Sequence, residues 1–205
     1  MADEAKRARR IAVISGKGGV GKTVITANLS AALSLLGRRI LVVDADLGLA
    51  NLDILLGLDP RFTLNDALHG TCSPEDVLLP TAQGFDLLPA GSGLPEGAVY
   101  TSAFAEHFES ILASLDNRYD AILFDAGAGV GDIVLYFANL AQDILLIVTP
   151  EPTSLMDAYA TIKILHQLHE RNEFLLIVNQ AKPDSSTQIG AAVAQHLQNV
   201  ISKFL

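Results

Sequence analysis

The sequence has almost no cysteine, and the rest of its composition excludes several other classes of protein. Cys72 is the one cysteine among 205 residues, which excludes a disulfide framework, a cysteine-cluster zinc site or an all-cysteine iron–sulfur site within one chain. Charged residues make up only 18% of the chain and hydrophobic residues 50%, a balance that excludes intrinsic disorder. No apolar run approaches the roughly 18 residues that a membrane-spanning helix needs.

Positive charge is also scarce. The 14 lysine and arginine residues are outnumbered by 23 aspartate and glutamate residues, for a net charge of −9. A surface of that sign repels phosphate backbones, so we expect no strong DNA binding. Residues 1–10 contain no apolar stretch of the kind found in a secretory signal. Together with the low cysteine content, this leads us to expect a cytoplasmic protein.

What the sequence does contain is a series of short, uninterrupted apolar runs rich in β-branched residues. Such runs are typical of strands buried on both faces, and helix-like stretches separate them. This alternation predicts an α/β, doubly wound, mostly parallel sheet with helices on both faces. We expect a basic lead-in over residues 1–10 and a single domain over 11–205. The predicted strands are 11–14, 40–43, 85–88, 122–124, 144–148 and 174–178, and the predicted helices are 21–36, 103–115, 154–169 and 186–205.

The segment after the first predicted strand matches the phosphate-binding pattern G-x-x-x-x-G-K-[ST]. Glycines in such a loop let backbone N–H groups turn inward around phosphates, and the following helix adds the positive end of its dipole. We expect Lys22 to reach the β- and γ-phosphates of a nucleotide and the hydroxyl of Thr23 to bind Mg²⁺. The alternative is a glycine-rich turn without a ligand. The matching residues are Gly16, Lys17, Gly18, Gly19, Val20, Gly21, Lys22 and Thr23.

Acidic side chains follow two other predicted strands, and parallel strands end at one edge of the sheet. Asp44 and Asp46 come after the strand over 40–43, and Asp125 follows the strand over 122–124. The first two can flank a Mg²⁺–phosphate site, one positioning a water for attack and the other supporting the waters of the metal. Asp125 is predicted to bind Mg²⁺, and Gly129 suits a mobile loop near the γ-phosphate. The alternatives are turn residues for Asp44 and Asp46 and a helix cap for Asp125.

The string from Lys17 to Thr23 resembles the deviant Walker A motif of the ParA/MinD ATPases. The resemblance implies that Lys17 reaches across an ATP-bridged dimer to the partner's nucleotide and that Asp46 orients the attacking water. It also implies that Asn179 hydrogen-bonds adenine, although Gln180 stands where the family often has arginine. A solvated lysine and a turn asparagine are the alternatives for Lys17 and Asn179.

Four longer strings narrow the resemblance to the MinD-like flagellar-number regulators, known as FlhG or FleN. In the last of these strings Glu151 stands between Pro150 and Pro152, before a helix for which we expect Thr153 or Ser154 as the cap. Glu151 has no predicted chemical role, and a partner surface or a dimer contact is the hypothesis for it. The strings are DADLGLANLDILLGL over 44–58, LPAGSG over 88–93, DAGAGV over 125–130 and PEPTSLMDAYATIKIL over 150–165.

The resemblance implies a Mg²⁺-dependent ATPase that forms a homodimer around ATP, hydrolyses it slowly and regulates flagellar number or placement. The implied partners are a flagellar signal-recognition-type GTPase and flagellar switch proteins. The alternatives are a ParA-type partition ATPase that binds DNA and a nucleotide-binding scaffold with little hydrolysis.

The family continues with a further strand and an amphipathic membrane-targeting helix, which we expect this chain to lack. The polar face of the segment 186–205 carries Lys203 as its one basic residue, whereas a membrane-surface helix carries several. We therefore expect this segment to pack on the core and make no membrane contact. Any position at the inner membrane is expected to come from partners or from a further tail.

Overall fold

Seven strands form the sheet of the computed structural model, which describes residues 7–48, 51–91, 101–181 and 189–204. The strands are Arg9–Ser15 (β1), Ile40–Ala45 (β2), Leu79–Pro80 (β3), Asp86–Leu88 (β4), Ala121–Ala128 (β5), Asp143–Val148 (β6) and Leu175–Val178 (β7). Their order across the sheet is β3-β4-β2-β5-β1-β6-β7. All the pairings are parallel except that of β3 with β4. The carboxyl ends of the parallel strands therefore meet at one edge.

Helices cover both faces of this sheet. Along β2, Ile40 and Val42 pack on the side of α1, and Leu41 and Val43 pack into the larger cluster that contains Phe108 of α5. Burial on both faces explains why the strand sequences are continuously apolar, and the predicted doubly wound α/β fold is confirmed. The helices are Lys22–Leu35 (α1), Leu52–Leu56 (α2), Leu64–Leu68 (α3), Pro74–Val77 (α4), Ser102–Leu115 (α5), Asp132–Leu140 (α6), Pro152–His169 (α7) and Ile189–Phe204 (α8), with a 3-10 turn at Asp116–Arg118.

Several element boundaries differ from the prediction. The sequence did not predict β3 or α2–α4, which are two to five residues long and too short for a periodic signal. Asp44 and Asp125 lie within β2 and β5 rather than after them. The predicted cap of α7 is wrong, because the helix begins at Pro152 with Glu151 as its N-cap. Proline suits the first position of a helix because its fixed φ is helical and because an N–H group at this position would have no hydrogen-bond partner within the helix.

The described part of the basic lead-in is held by ion pairs. Arg10 contacts Asp116 at 2.8 Å in a largely buried position, and Arg9 contacts Asp143. At the other end of the described chain, Leu197 of α8 is buried against the core. Among the residues described, no helix is both long and apolar enough to cross a bilayer. Residues 1–6 of the lead-in, residues 49–50 and 92–93 of the family strings, and Leu205 lie outside the described residues.

Candidate functional site

The predicted phosphate loop connects β1 to α1 at the carboxyl edge of the sheet. Gly21 precedes the helix with a φ of +95°, which glycine adopts without strain. A methyl group on Gly21 would also collide with the side-chain amide of Asn179. A methyl group on Gly16 would overlap the backbone carbonyl group of Asp157 in α7 and lie 2.8 Å from the amide nitrogen of Ala158. Gly16 and Gly21 therefore allow the close packing that holds the loop.

Side chains at the start of α1 converge on Asp125 in β5. The hydroxyl of Thr26 lies 2.9 Å from Asp125 Oδ1 and 3.0 Å from the carbonyl oxygen of Lys22. The hydroxyl of Thr23 also lies close enough to this carboxylate to lower its pKa. Burial raises the pKa of Asp125 above the ordinary aspartate value, whereas the two hydroxyls and the charge of Lys22 lower it. The first turns of α1 thus present a cation and hydroxyl groups to a buried carboxylate.

Asp44 lies beside Asp125, and the two residues are paired in the register of β2 and β5. The Asp44 carboxylate accepts hydrogen bonds from the backbone N–H groups of Asp46, Asn51 and Leu52 at 3.1 to 3.2 Å. Burial raises the pKa of Asp44 to about 7; these N–H groups oppose the shift and the charge of Asp125 adds to it. Asp44 therefore anchors the start of α2 to the end of β2.

Asp46 and Gly129 lie at the outer rim of the same edge. A methyl group on Gly127 of β5 would stand 3.5 Å from the carboxylate of Asp46, so the end of β2 lies against β5 here. Gly129 has a φ of +90°, and its N–H donates to the carbonyl oxygen of Ser15 at 2.9 Å. The segments that follow β2, β5 and β1 therefore meet around the phosphate loop.

The residues that follow β7 are fastened to the loop from the other side. The side-chain amide of Asn179 donates to the carbonyl oxygen of Val20 at 2.8 Å, and that of Gln180 donates to the carbonyl oxygen of Gly19 at 3.2 Å. The predicted contact of Asn179 with adenine stays a prediction. Gln180 is a residue whose structural role the sequence did not reveal, because it binds a carbonyl group 161 positions away.

Lys17 is directed to the start of α7. Its Nζ donates to Glu151 Oε2 at 2.6 Å and to Thr153 Oγ1 at 3.1 Å. The sequence singled out Glu151 because of its two flanking prolines but gave no reason to connect it with the loop. The sequence also did not identify Thr26 as a site residue. Its spacing of one helical turn from Lys22 was the signal that could have placed it on the same face of α1.

The oxygen donors at this edge suit a hard divalent cation. Thr23, Asp46 and Asp125 offer a hydroxyl and two carboxylates, the ligand type that Mg²⁺ prefers. Within the described residues, no three or more His, Cys, Asp and Glu side chains form a group that could hold a metal ion. The hydroxyl of Thr23 and the carboxylates of Asp46 and Asp125 nevertheless fit Mg²⁺, because this ion binds proteins through one or two carboxylates and completes its shell with water and phosphate oxygens.

Comparison with known proteins places this geometry in a family. The model of the CobQ/CobB/MinD/ParA nucleotide binding domain (CbiA) matches residues 11–204. The antiactivator FleN of Pseudomonas aeruginosa is 45% identical over 197 residues, which cover 95% of this chain and 69% of FleN. The flagellum site-determining protein YlxH of Helicobacter pylori is 37% identical over 174 residues, covering 82% of this chain and 57% of YlxH.

A solved structure of a MinD protein is also similar to this chain. The septum site-determining protein MinD of Pyrococcus horikoshii, complexed with Mg-ADP, matches with a TM-score of 0.72 and 30% identity, over 91% of this chain and 77% of that chain. The predicted resemblance to the MinD-like flagellar-number regulators is therefore confirmed. Since the family model covers almost the whole sequence, the chain belongs to the CobQ/CobB/MinD/ParA nucleotide-binding domain family.

Proposed function

We propose that the chain is a Mg²⁺-dependent switch that binds ATP, dimerises around it and hydrolyses it slowly. The observation that carries the proposal is the meeting of the loop, Lys22 and the carboxylates of Asp44, Asp46 and Asp125 at one edge of the sheet. The Mg-ADP bound to the similar MinD of Pyrococcus horikoshii supports ATP and Mg²⁺ as the ligands.

The roles of the residues follow from their chemistry. The loop over 16–23 surrounds the phosphates with N–H groups, and Lys22 balances negative charge on the β- and γ-phosphates. Thr23 and Asp125 would hold Mg²⁺, with Asp46 beside them, and the ion would supply positive charge to balance the charge on the transferred phosphoryl group. Asp46 orients the attacking water.

The remaining predicted residues have supporting roles in this proposal. Asp44 holds the segment that carries Asp46 in place through its three backbone hydrogen bonds. Gly129 allows the segment after β5 to approach the γ-phosphate, and Asn179 contacts the adenine base. Lys17 of each protomer contacts the nucleotide of its partner, so that ATP joins two copies of the chain.

The output we propose is the regulation of flagellar number or placement. This part of the proposal is supported by the 45% identity to the antiactivator FleN and the 37% identity to the flagellum site-determining protein YlxH. The proposed partners are a signal-recognition-type GTPase of the flagellar system and flagellar switch proteins. A cycle of ATP binding and hydrolysis would time their contact with the chain.

Titration calorimetry combined with phosphate release tests the nucleotide chemistry. We expect wild-type protein to bind ATP in the presence of Mg²⁺ and to release phosphate slowly. Lys22→Ala should lose binding, whereas Asp46→Ala should keep binding and lose hydrolysis. Binding without any phosphate release from the wild type would instead indicate a scaffold. An ATP-dependent, salt-sensitive shift of DNA would indicate a partition-type ATPase.

A further inference from the structure

Lys17 is paired within its own chain. Its Nζ contacts the Glu151 carboxylate at 2.6 Å and the Thr153 hydroxyl at 3.1 Å. The side chain of Lys17 is 37% exposed and that of Glu151 is 61% exposed. The pair therefore lies at the rim of the site, where it can open without disturbing the core.

Both ends of this contact are held firmly by the backbone. Glu151 is the N-cap of α7, and its carbonyl oxygen accepts the N–H of Leu155 at 3.2 Å. The N–H of Thr149 donates to the hydroxyl of Ser154 at 3.0 Å, which ties the end of β6 to the first turn of α7. On the loop side, the backbone of Gly16 packs against that of Asp157 without room for a methyl group. The loop and the start of α7 are thus joined through backbone contacts, so the contact of Lys17 with Glu151 can open by rotation of the two side chains alone.

The contact within the chain competes with the contact that Lys17 makes in the proposed dimer. The ammonium group of Lys17 has three N–H donors, and Glu151 at 2.6 Å and Thr153 at 3.1 Å take two of them. When the group turns towards the phosphates of a partner's nucleotide, phosphate oxygens replace these two acceptors. A carboxylate and a phosphate oxygen satisfy this cation with the same kind of charge-assisted hydrogen bond.

We propose that Glu151 and Thr153 form a clamp that holds Lys17 in its own protomer and thereby sets the ATP and protein concentrations at which the chain dimerises. The clamp rests on the proposed function, since it requires the contact of Lys17 with the partner's nucleotide. Glu151 is a positioning residue that acts through Lys17.

The exposure of the pair sets the size of the effect. Exposed ion pairs of this kind shift an equilibrium by up to about fivefold. Each dimer opens two clamps, so the dimer dissociation constant changes by up to about 25-fold when both are removed.

The test compares three variants for dimerisation with ATP and Mg²⁺ by sedimentation velocity. Glu151→Gln removes the charge and should lower the dimer dissociation constant by up to about 25-fold, with the maximal hydrolysis rate per dimer unchanged. Glu151→Asp keeps the charge but shortens the side chain by one methylene, so it should also tighten the dimer. Glu173→Gln is the matched control, because it removes an exposed carboxylate before β7, and it should behave as wild type.

A second readout does not depend on dimerisation. Acetylation of lysines in the nucleotide-free protein, followed by mass spectrometry, should label Lys17 several-fold faster in Glu151→Gln than in wild type. Exposed Lys163 in α7 provides the internal reference and should react equally in both proteins. Equal labelling of Lys17 in wild type and Glu151→Gln would show that the clamp does not exist in solution.

The outcomes separate the clamp from the function on which it rests. If wild-type protein forms no dimer with ATP, or Lys17→Ala dimerises as well as wild type, the proposed function fails and the regulatory clamp fails with it. If Lys17 is needed for the dimer and Glu151→Gln leaves dimerisation unchanged, the clamp alone is wrong. A weaker dimer in Glu151→Gln would overturn it too, because Glu151 would then be a dimer contact.

Discussion

Gly16 and Gly18 belong to one loop but differ completely in the space around them. A methyl group on Gly16 would overlap the backbone of Asp157 and lie 2.8 Å from the amide nitrogen of Ala158, whereas one on Gly18 has no atom within 4 Å. The atoms that face Gly16 are backbone, so they cannot rotate away as a side chain would. Overpacking of this kind costs about 1–3 kcal/mol. We therefore expect Gly16→Ala to lower the free energy of unfolding by that amount.

The melting temperature converts this cost into a measurable difference. A chain of this size loses roughly 2–4 °C for each kcal/mol, so differential scanning calorimetry should find Gly16→Ala clearly below wild type. Gly18→Ala is the matched control, and it should be neutral or slightly stabilising, since alanine restricts the unfolded chain by about 0.4–1 kcal/mol. Equal melting temperatures for the two variants would refute the close packing of the loop on α7.

Urea unfolding measures the free energy of unfolding and therefore shows how buried charge affects stability at three places in the chain. Thr26→Val should lower the free energy of unfolding by about 1–3 kcal/mol, because it removes a hydroxyl donor from a buried carboxylate. Thr26→Ser should restore most of this loss. Arg10→Ala should lower the free energy of unfolding by about 3–5 kcal/mol, because it leaves Asp116 buried without its cation. Arg9→Ala should have a much smaller effect, because Arg9 is 68% exposed. The pKa of Asp44 is about 7 in the folded chain and about 3.9 in the unfolded chain. Between about pH 4 and pH 7, the Asp44 carboxyl group therefore carries a proton in the folded state but not in the unfolded state. The contribution of protonated Asp44 to the free energy of unfolding is therefore lost as the pH rises through about 7. Between about pH 4 and pH 8, the free energy of unfolding of wild type should fall by up to about 4 kcal/mol relative to that of Asp44→Asn.

Each of these predictions has a clear contrary result. Equal stability of Thr26→Val and Thr26→Ser would show that the hydroxyl does not stabilise the carboxylate. Equal losses for Arg10→Ala and Arg9→Ala would show that burial does not distinguish the two ion pairs. A pH-independent difference between wild type and Asp44→Asn would show that this carboxyl is already ionised near pH 4.

The sequence predicted the features whose signals are local. The six predicted strands correspond to β1, β2, β4, β5, β6 and β7, because each is a continuous apolar run. The phosphate loop was identified from eight consecutive residues, and the aspartates were identified because each comes at or near the carboxyl end of a strand.

The features that the sequence did not predict depend on contacts between distant residues. Lys17 and Glu151 are 134 positions apart, and neither residue contains information about the other. Thr26 looked like an ordinary helical residue until the fold placed it against the end of β5. The start of α7 was predicted two residues late because Thr153 and Ser154 resemble N-caps, whereas Pro152 fixed the first helical turn and the hydroxyl of Ser154 accepts the N–H of Thr149.

Light scattering of Asp46→Ala shows whether ATP joins two copies of the chain. Because this variant is expected to bind ATP without hydrolysing it, it should accumulate the joined state. With ATP and Mg²⁺ its mass should double from 21.8 kDa, and it should return to the single-chain value with ADP or when Lys17→Ala is added to the variant. A single-chain mass for Asp46→Ala at saturating ATP would show that ATP does not join two copies of the chain.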